Sequence, residues 1–114
     1  MKIVVLYEHK RYRIELEEAL TKAGHTVTTC SNSNDFIEIA ENLTADRLII
    51  DVKSWFRGTA IYNYFDIAKN LAPVPALFFD APEGFSSIEG RPAQAADIVL
   101  EKDRSIDAIV AALA

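Results

Sequence analysis

The chain has 114 residues, half of them apolar and 25% charged, with a formal net charge of -5. That is one globular domain's length, 1–114, enough to bury roughly two thirds of the unfolded surface around a single core and too short for a second one. Acids and bases are mixed along an acidic chain, which excludes the basic stripe that nucleic acid demands, and no apolar run approaches membrane-spanning length.

The opening "MKIVVLYEHK" carries an apolar run too short for a signal peptide and lacks a small-residue cleavage site, so the expected location is cytoplasmic. "IVVL" (3–6) reads as the first strand. Behind it Tyr12, Leu16, Ala19, Leu20 and Ala23 share one helical face, and Gly24 supplies the stop. "TVTT" (26–29) is the second strand. Cys30, the single cysteine, has no metal-ligand spacing around it and reads as a reduced structural thiol. Phe36, Ile39, Ala40 and Leu43 form a second helical stripe behind an Asn34 cap.

"LII" (48–50) is the third strand, and Trp55 and Phe56 follow it in a loop. A third stripe runs Ile61, Tyr64, Phe65, Ala68, Leu71 and ends before Pro73. "ALFF" (76–79) is the fourth strand. The segment "APEGFSSIEGRPAQAA" holds two glycines and two prolines, which predict a short or irregular fourth helix. "DIVL" (97–100) is the fifth strand, and Ile106, Ile109, Val110 and Leu113 form a closing helix after Ser105.

Alternation of strand and helix implies an α/β domain with a five-stranded parallel sheet covered on both faces, because parallel neighbours need crossover connections. Ligands of such sheets bind outside the carboxyl ends of the strands. The residues there are Tyr7, Glu8 and His9, then Asp51 and Lys53, then Asp80, then Glu101, Lys102 and Asp103. Acids from three strands and a lysine from the fifth are thereby directed to one edge.

Over its whole length this pattern resembles the receiver domain of two-component response regulators. "KIVVLYE" stands where that family has a strand ending in two acids, and "DRLIID" looks like the strand ending in the phospho-accepting aspartate, here Asp51. "PALFFDA" is similar to the fourth strand, and "AADIVLEKD" to the fifth, placing the family lysine on Lys102, 22 residues after Asp80. The resemblance implies a doubly wound, flavodoxin-like fold with strand order 2-1-3-4-5 and a phosphoryl chemistry. Asp51 would be the nucleophile, Lys102 the charge partner, and Mg²⁺ would be held by Glu8, Asp51 and the backbone carbonyl of Lys53. The implied partner is a protein, a histidine kinase or a downstream signalling protein.

Four departures weigh against that chemistry. Tyr7 replaces the first acid of the pair, and Glu8 is one methylene longer than the usual Asp in an octahedral site that tolerates little distortion. Asp80 replaces the hydroxyl that meets a phosphoryl oxygen; a like charge 4 Å away costs roughly 4 kcal/mol at an effective dielectric near 20. The fourth departure concerns output: Val99 matches the strand-five aromatic, and Asp103 follows the lysine in place of proline.

Two readings follow. In the first, this is an atypical, non-enzymatic receiver, a protein-interaction module in which Asp51 is a strand-end acid tied to Lys102 and Asp80 a turn-starting acid. In the second, Glu8, Asp51 and Asp80 still hold Mg²⁺ and Asp51 takes a phosphoryl group in a phosphorelay. A flavodoxin-like ligand binder is a third reading, disfavoured by the lack of Gly-rich phosphate cradles. Trp55 and Phe56 are either a partner anchor or a cap on the core, since adjacent side chains rarely both bury. His9, His25 and the "ELEE" run at 15–18 read as surface.

Overall fold

In the computed structural model, which describes residues 1–42, 44–58 and 73–114, all five apolar runs are strands. The elements are β1 (Lys2–Leu6), α1 (Lys10–Lys22), β2 (Thr26–Cys30), α2 (Ser33–Asn42), β3 (Arg47–Asp51), α3 (Val52–Gly58), β4 (Ala76–Ala81), β5 (Ile98–Glu101) and α4 (Ile106–Ala112). The strands form one sheet in the order β2-β1-β3-β4-β5, with every pairing parallel. This is the expected doubly wound, flavodoxin-like arrangement.

Alternate residues of each strand face opposite sides, and both sides are apolar, so each strand reads as an unbroken hydrophobic run. Ile3, Val5, Ile49, Leu77 and Phe79 meet Leu16 and Leu20 of α1 and Ile109 of α4. Val4, Leu6, Leu48, Ile50 and Phe78 meet Phe36 of α2, Val52 and Trp55 of α3, and Ile88. The Leu16 and Leu20 side chains are fully buried, each worth about 1.5–3 kcal/mol relative to exposure. The strand order brings the carboxyl ends of β1, β3, β4 and β5 side by side.

The helices start and stop by identifiable chemistry. Gly24, at φ +98°, takes the left-handed turn that ends α1. The α2 cap is Asn32 rather than Asn34: its Oδ1 accepts from the Asp35 N–H at 2.9 Å, and its Nδ2 donates to the Asp35 carboxylate at 2.9 Å. Ser105 caps α4 by accepting from the Ala108 N–H.

Two local expectations change. Trp55 and Phe56 lie in α3, not in a loop. The fourth crossover, 82–97, contains no helix and runs as turns and bends. The stripe from Ile61 to Leu71, like Leu43, lies outside the described residues.

In place of a fourth crossover helix stands a buried ion pair. Both terminal nitrogens of Arg91 donate to the Asp97 carboxylate at 2.8 Å, and Arg91 also reaches Ser87 Oγ at 3.0 Å and the Val74 carbonyl at 2.8 Å. Asp97 further accepts from the Ala76 and Gln94 amides. The guanidinium lies 5.6 Å from the centre of the Phe78 ring. Burial alone would raise the Asp97 carboxyl, but Arg91 and the two amides outweigh it and hold it below the usual carboxylate range. A segment with too few apolar residues for an amphipathic helix is thus pinned to the sheet by one bidentate pair.

Candidate functional site

Asp51 ends β3 and, in the same stroke, caps α3. Its residue is only 3% exposed. The Ser54 amide donates to Asp51 Oδ2 at 3.3 Å, the N-cap contact to the third helical residue, and the Ser54 hydroxyl donates to the same oxygen. The Lys53 amide supports it as well. Ser54 Oγ in turn accepts from the Glu8 N–H at 3.0 Å. A relay of donors therefore runs from the β1–α1 loop through Ser54 to Asp51. Arg13 holds that loop from its other side, donating to the carbonyls of Tyr7 and Glu8 at 3.0 and 3.3 Å.

Burial pushes the Asp51 carboxyl above the ordinary carboxylate range; the Ser54 hydroxyl and amide pull it back, and the charge of Asp80 adds to the upward push. Tyr7 fills the position of the expected first acid. Its ring packs edge-on against Phe79 at 4.9 Å and stacks with Tyr12 at 6.5 Å. Burial and then the charge of Asp51 raise its hydroxyl, so it stays neutral.

Asp80 leaves β4 at φ +49° and Lys102 leaves β5 at φ +54°, both in the left-handed region. Asp tolerates that region; a lysine there is uncommon and is held by its surroundings. The Asp80 amide donates to the Asp103 carbonyl and the Lys102 amide to the Ala81 carbonyl, each at 2.8 Å, across an irregular register between β4 and β5.

The cation on Asp80 is Lys53, with Nζ 3.0 Å from Oδ2. Lys102 does not pair with Asp51: its ammonium lies 4.0 Å from Glu83, and its side chain is 75% exposed. The Glu8 carboxylate lies 3.8 Å from His9 Nε2. Among the described residues no three His, Cys, Asp or Glu side chains gather as a metal-binding group, so the donor set expected from Glu8, Asp51, Lys53 and Asp80 is not assembled. Within that set Asp51 Oδ2 is engaged by Ser54 and Asp80 carries the Lys53 ammonium, while Tyr7, at the position of the expected first acid, is neutral.

No family sequence model matches the chain, and no curated protein sequence matches it. Solved structures do. A response regulator receiver domain protein from Bacillus halodurans superposes with a TM-score of 0.73 at 20% identity, covering 99% of this chain and 93% of that one. The fold is the receiver fold. The chemotaxis protein CheY4 of Vibrio cholerae gives 0.70 at 18% identity, covering 98% of this chain and 94% of that one. A Burkholderia pseudomallei response regulator, solved with a phosphorylated aspartic acid, calcium ion and citrate, gives 0.67 at 17%, covering 99% of this chain and 66% of that one.

Within the receiver fold Asp51 and Asp80 sit at the ends of adjacent strands, as the sequence placed them, while the partners assigned to them change. Sequence reasoning missed Ser54, Lys53 as a side chain, and Arg13. The signal available for Ser54 was its position three residues after Asp51, the spacing of an N-cap and its third helical residue.

Proposed function

We propose that this chain is an atypical receiver domain that works in signal transduction as a non-enzymatic protein-interaction module, with Asp51 serving as a buried helix cap. The observation that carries this reading is the Ser54 hydroxyl on Asp51 Oδ2, itself fixed by the Glu8 amide. An aspartate that attacks a phosphoryl group needs a free, accessible lone pair and room for in-line approach. Asp51 is 3% exposed with one oxygen already held by hydroxyl and amide donors. Tyr7 and the Lys53–Asp80 pair supply the remaining surroundings without a converging set of acids. The partner this reading calls for is a protein of a signalling pathway, a histidine kinase or a downstream effector.

The rival reading, a Mg²⁺-dependent phospho-acceptor, draws on the placement of Asp51 at the carboxyl end of the central strand and on the phosphorylated aspartate of the Burkholderia pseudomallei relative. The single tryptophan separates the two. Trp55 is fully buried four residues beyond Asp51, with its ring 6.4 Å from Phe36. Titration with Mg²⁺ and then beryllium fluoride, followed by Trp55 fluorescence and amide NMR with Asp51→Asn as control, should give no saturable Asp51-dependent response. A saturable response in both steps would establish the phospho-acceptor instead.

A further inference from the structure

The two adjacent aromatics after Asp51 part company in α3: Trp55 is wholly buried, while Phe56 is 57% exposed. Phe56 does not stand alone on the surface. It borders a groove of about 250 Å³ whose apolar wall is Val52, Phe56, Ala81 and Pro82, with Lys53, Lys102 and Asp80 along its edge. An exposed aromatic beside a preformed apolar concavity is the kind of feature on which interface energy concentrates.

Charge decides what could sit there. Asp80 is already engaged by Lys53 at 3.0 Å, and the Lys53 side chain stays 60% exposed. Lys102 faces Glu83 only at 4.0 Å, with both side chains largely in water, a pairing of little worth that an incoming carboxylate can replace cheaply. The groove therefore offers apolar surface flanked by the Lys53–Asp80 ion pair and by the exposed, loosely paired Lys102 on a chain whose net charge is -5. Because that overall charge repels an acidic partner at a distance, recognition has to be local, with apolar insertion beside a short-range ion pair.

We propose that the groove between α3 and the end of β4 is the docking surface of the module, and that its occupant is a partner-protein segment presenting a large apolar side chain next to a carboxylate that pairs with Lys102. This deepens the module reading and rests on it.

The test is amide NMR of the ¹⁵N-labelled chain with two synthetic peptides, Ac-GSGDFLDGSG-NH2 and the same peptide with lysine at both aspartate positions. The acidic peptide should shift the resonances of Val52, Phe56, Ala81 and Lys102 saturably, and the lysine peptide should not. Phe56→Ala, an exposed position whose loss spares the core, should weaken binding by roughly tenfold or more, the scale of a hot-spot truncation. Lys102→Glu should reverse the preference so that the lysine peptide binds better. Equal binding of both peptides, no binding of either, or an unaffected Phe56→Ala variant would overturn the assignment. Binding that moves resonances of α4 and β5 instead would overturn the groove and leave the module reading intact. Phosphoryl transfer to Asp51 would remove the module reading whatever the peptides do.

Discussion

Ser54 donates its hydroxyl to the carboxylate of Asp51, three residues earlier in the chain, while its oxygen accepts the Glu8 amide. One small side chain thus joins the end of β1, the end of β3 and the first turn of α3. It also gives the acid at the centre of the sheet's carboxyl edge the hydroxyl and amide donors of a helix cap.

Asp51→Asn should raise stability at neutral pH. The folded-state carboxyl of Asp51 is shifted up, chiefly by burial, so its contribution is fully present below the unfolded value of about 3.9 and is lost as pH rises through the folded one. Asn keeps an acceptor for Ser54 and carries no charge to bury. Asp51→Ala should lie below Asp51→Asn by about 1 kcal/mol, the usual worth of an N-cap. Urea denaturation of the three proteins at pH 7 and pH 5 reads both differences; a less stable Asn variant at pH 7 would contradict the buried-cap account.

Removing the Ser54 hydroxyl with Ser54→Ala should cost about 1.5–3 kcal/mol, the range for a hydrogen bond to a charged group. In the Asp51→Asn background the cost should shrink toward about 1 kcal/mol, because the acceptor is then neutral. A double-mutant cycle checks the coupling, and additive losses would show that the two residues do not act together.

Arg91→Ala should destabilise strongly, by about 3–5 kcal/mol, since it strands a buried Asp97 without its counter-charge. Replacing both partners with apolar residues, Arg91→Met with Asp97→Leu, should recover only part of that loss, because the Ala76 and Gln94 amides then lose their acceptor. Thermal denaturation compares the variants; a mild Arg91→Ala effect would mean that the 82–97 segment is held by something else.

Asp97 also sets an acid limit. Its folded-state carboxyl is shifted down, so the stability it adds is complete above the unfolded value of about 3.9 and disappears as pH falls through the folded value. Asp97→Asn should therefore flatten the stability profile below about pH 4. A mutant profile parallel to the wild type over that range would show that other carboxylates carry the acid transition.

The strands were legible because strands buried on both faces leave uninterrupted apolar runs such as Ile3–Leu6 and Ala76–Phe79, while the order of the sheet came only with the resemblance to receiver domains. Helix starts were less so. "SNSND" offers several capping residues, and both Asn32 and Asp35 have an acid three positions on; the reciprocal pair that fixes α2 is Asn32 with Asp35. The start of α3 was hidden because its cap, Asp51, already belonged to a strand. At the site, strand-end position located Asp51 and Asp80, but a side chain's partner depends on backbone turns the sequence does not spell out. The left-handed conformation at Lys102 accompanies a side chain that faces Glu83 instead of Asp51, and Lys53 takes the carboxylate that position alone could not assign. The Arg91–Asp97 pair gave no sign, because a lone arginine in a Gly- and Pro-bearing loop and an acid ahead of a strand have no characteristic spacing.

Asp51 as a cap and not an acceptor is put to the test by incubating the intact chain with acetyl phosphate and Mg²⁺ and weighing it by intact-protein mass spectrometry, with Asp51→Asn alongside. Both proteins should keep their unmodified masses under conditions that label a responsive receiver run in parallel. Addition of one phosphoryl group to the wild type, absent from Asp51→Asn, would contradict the cap assignment.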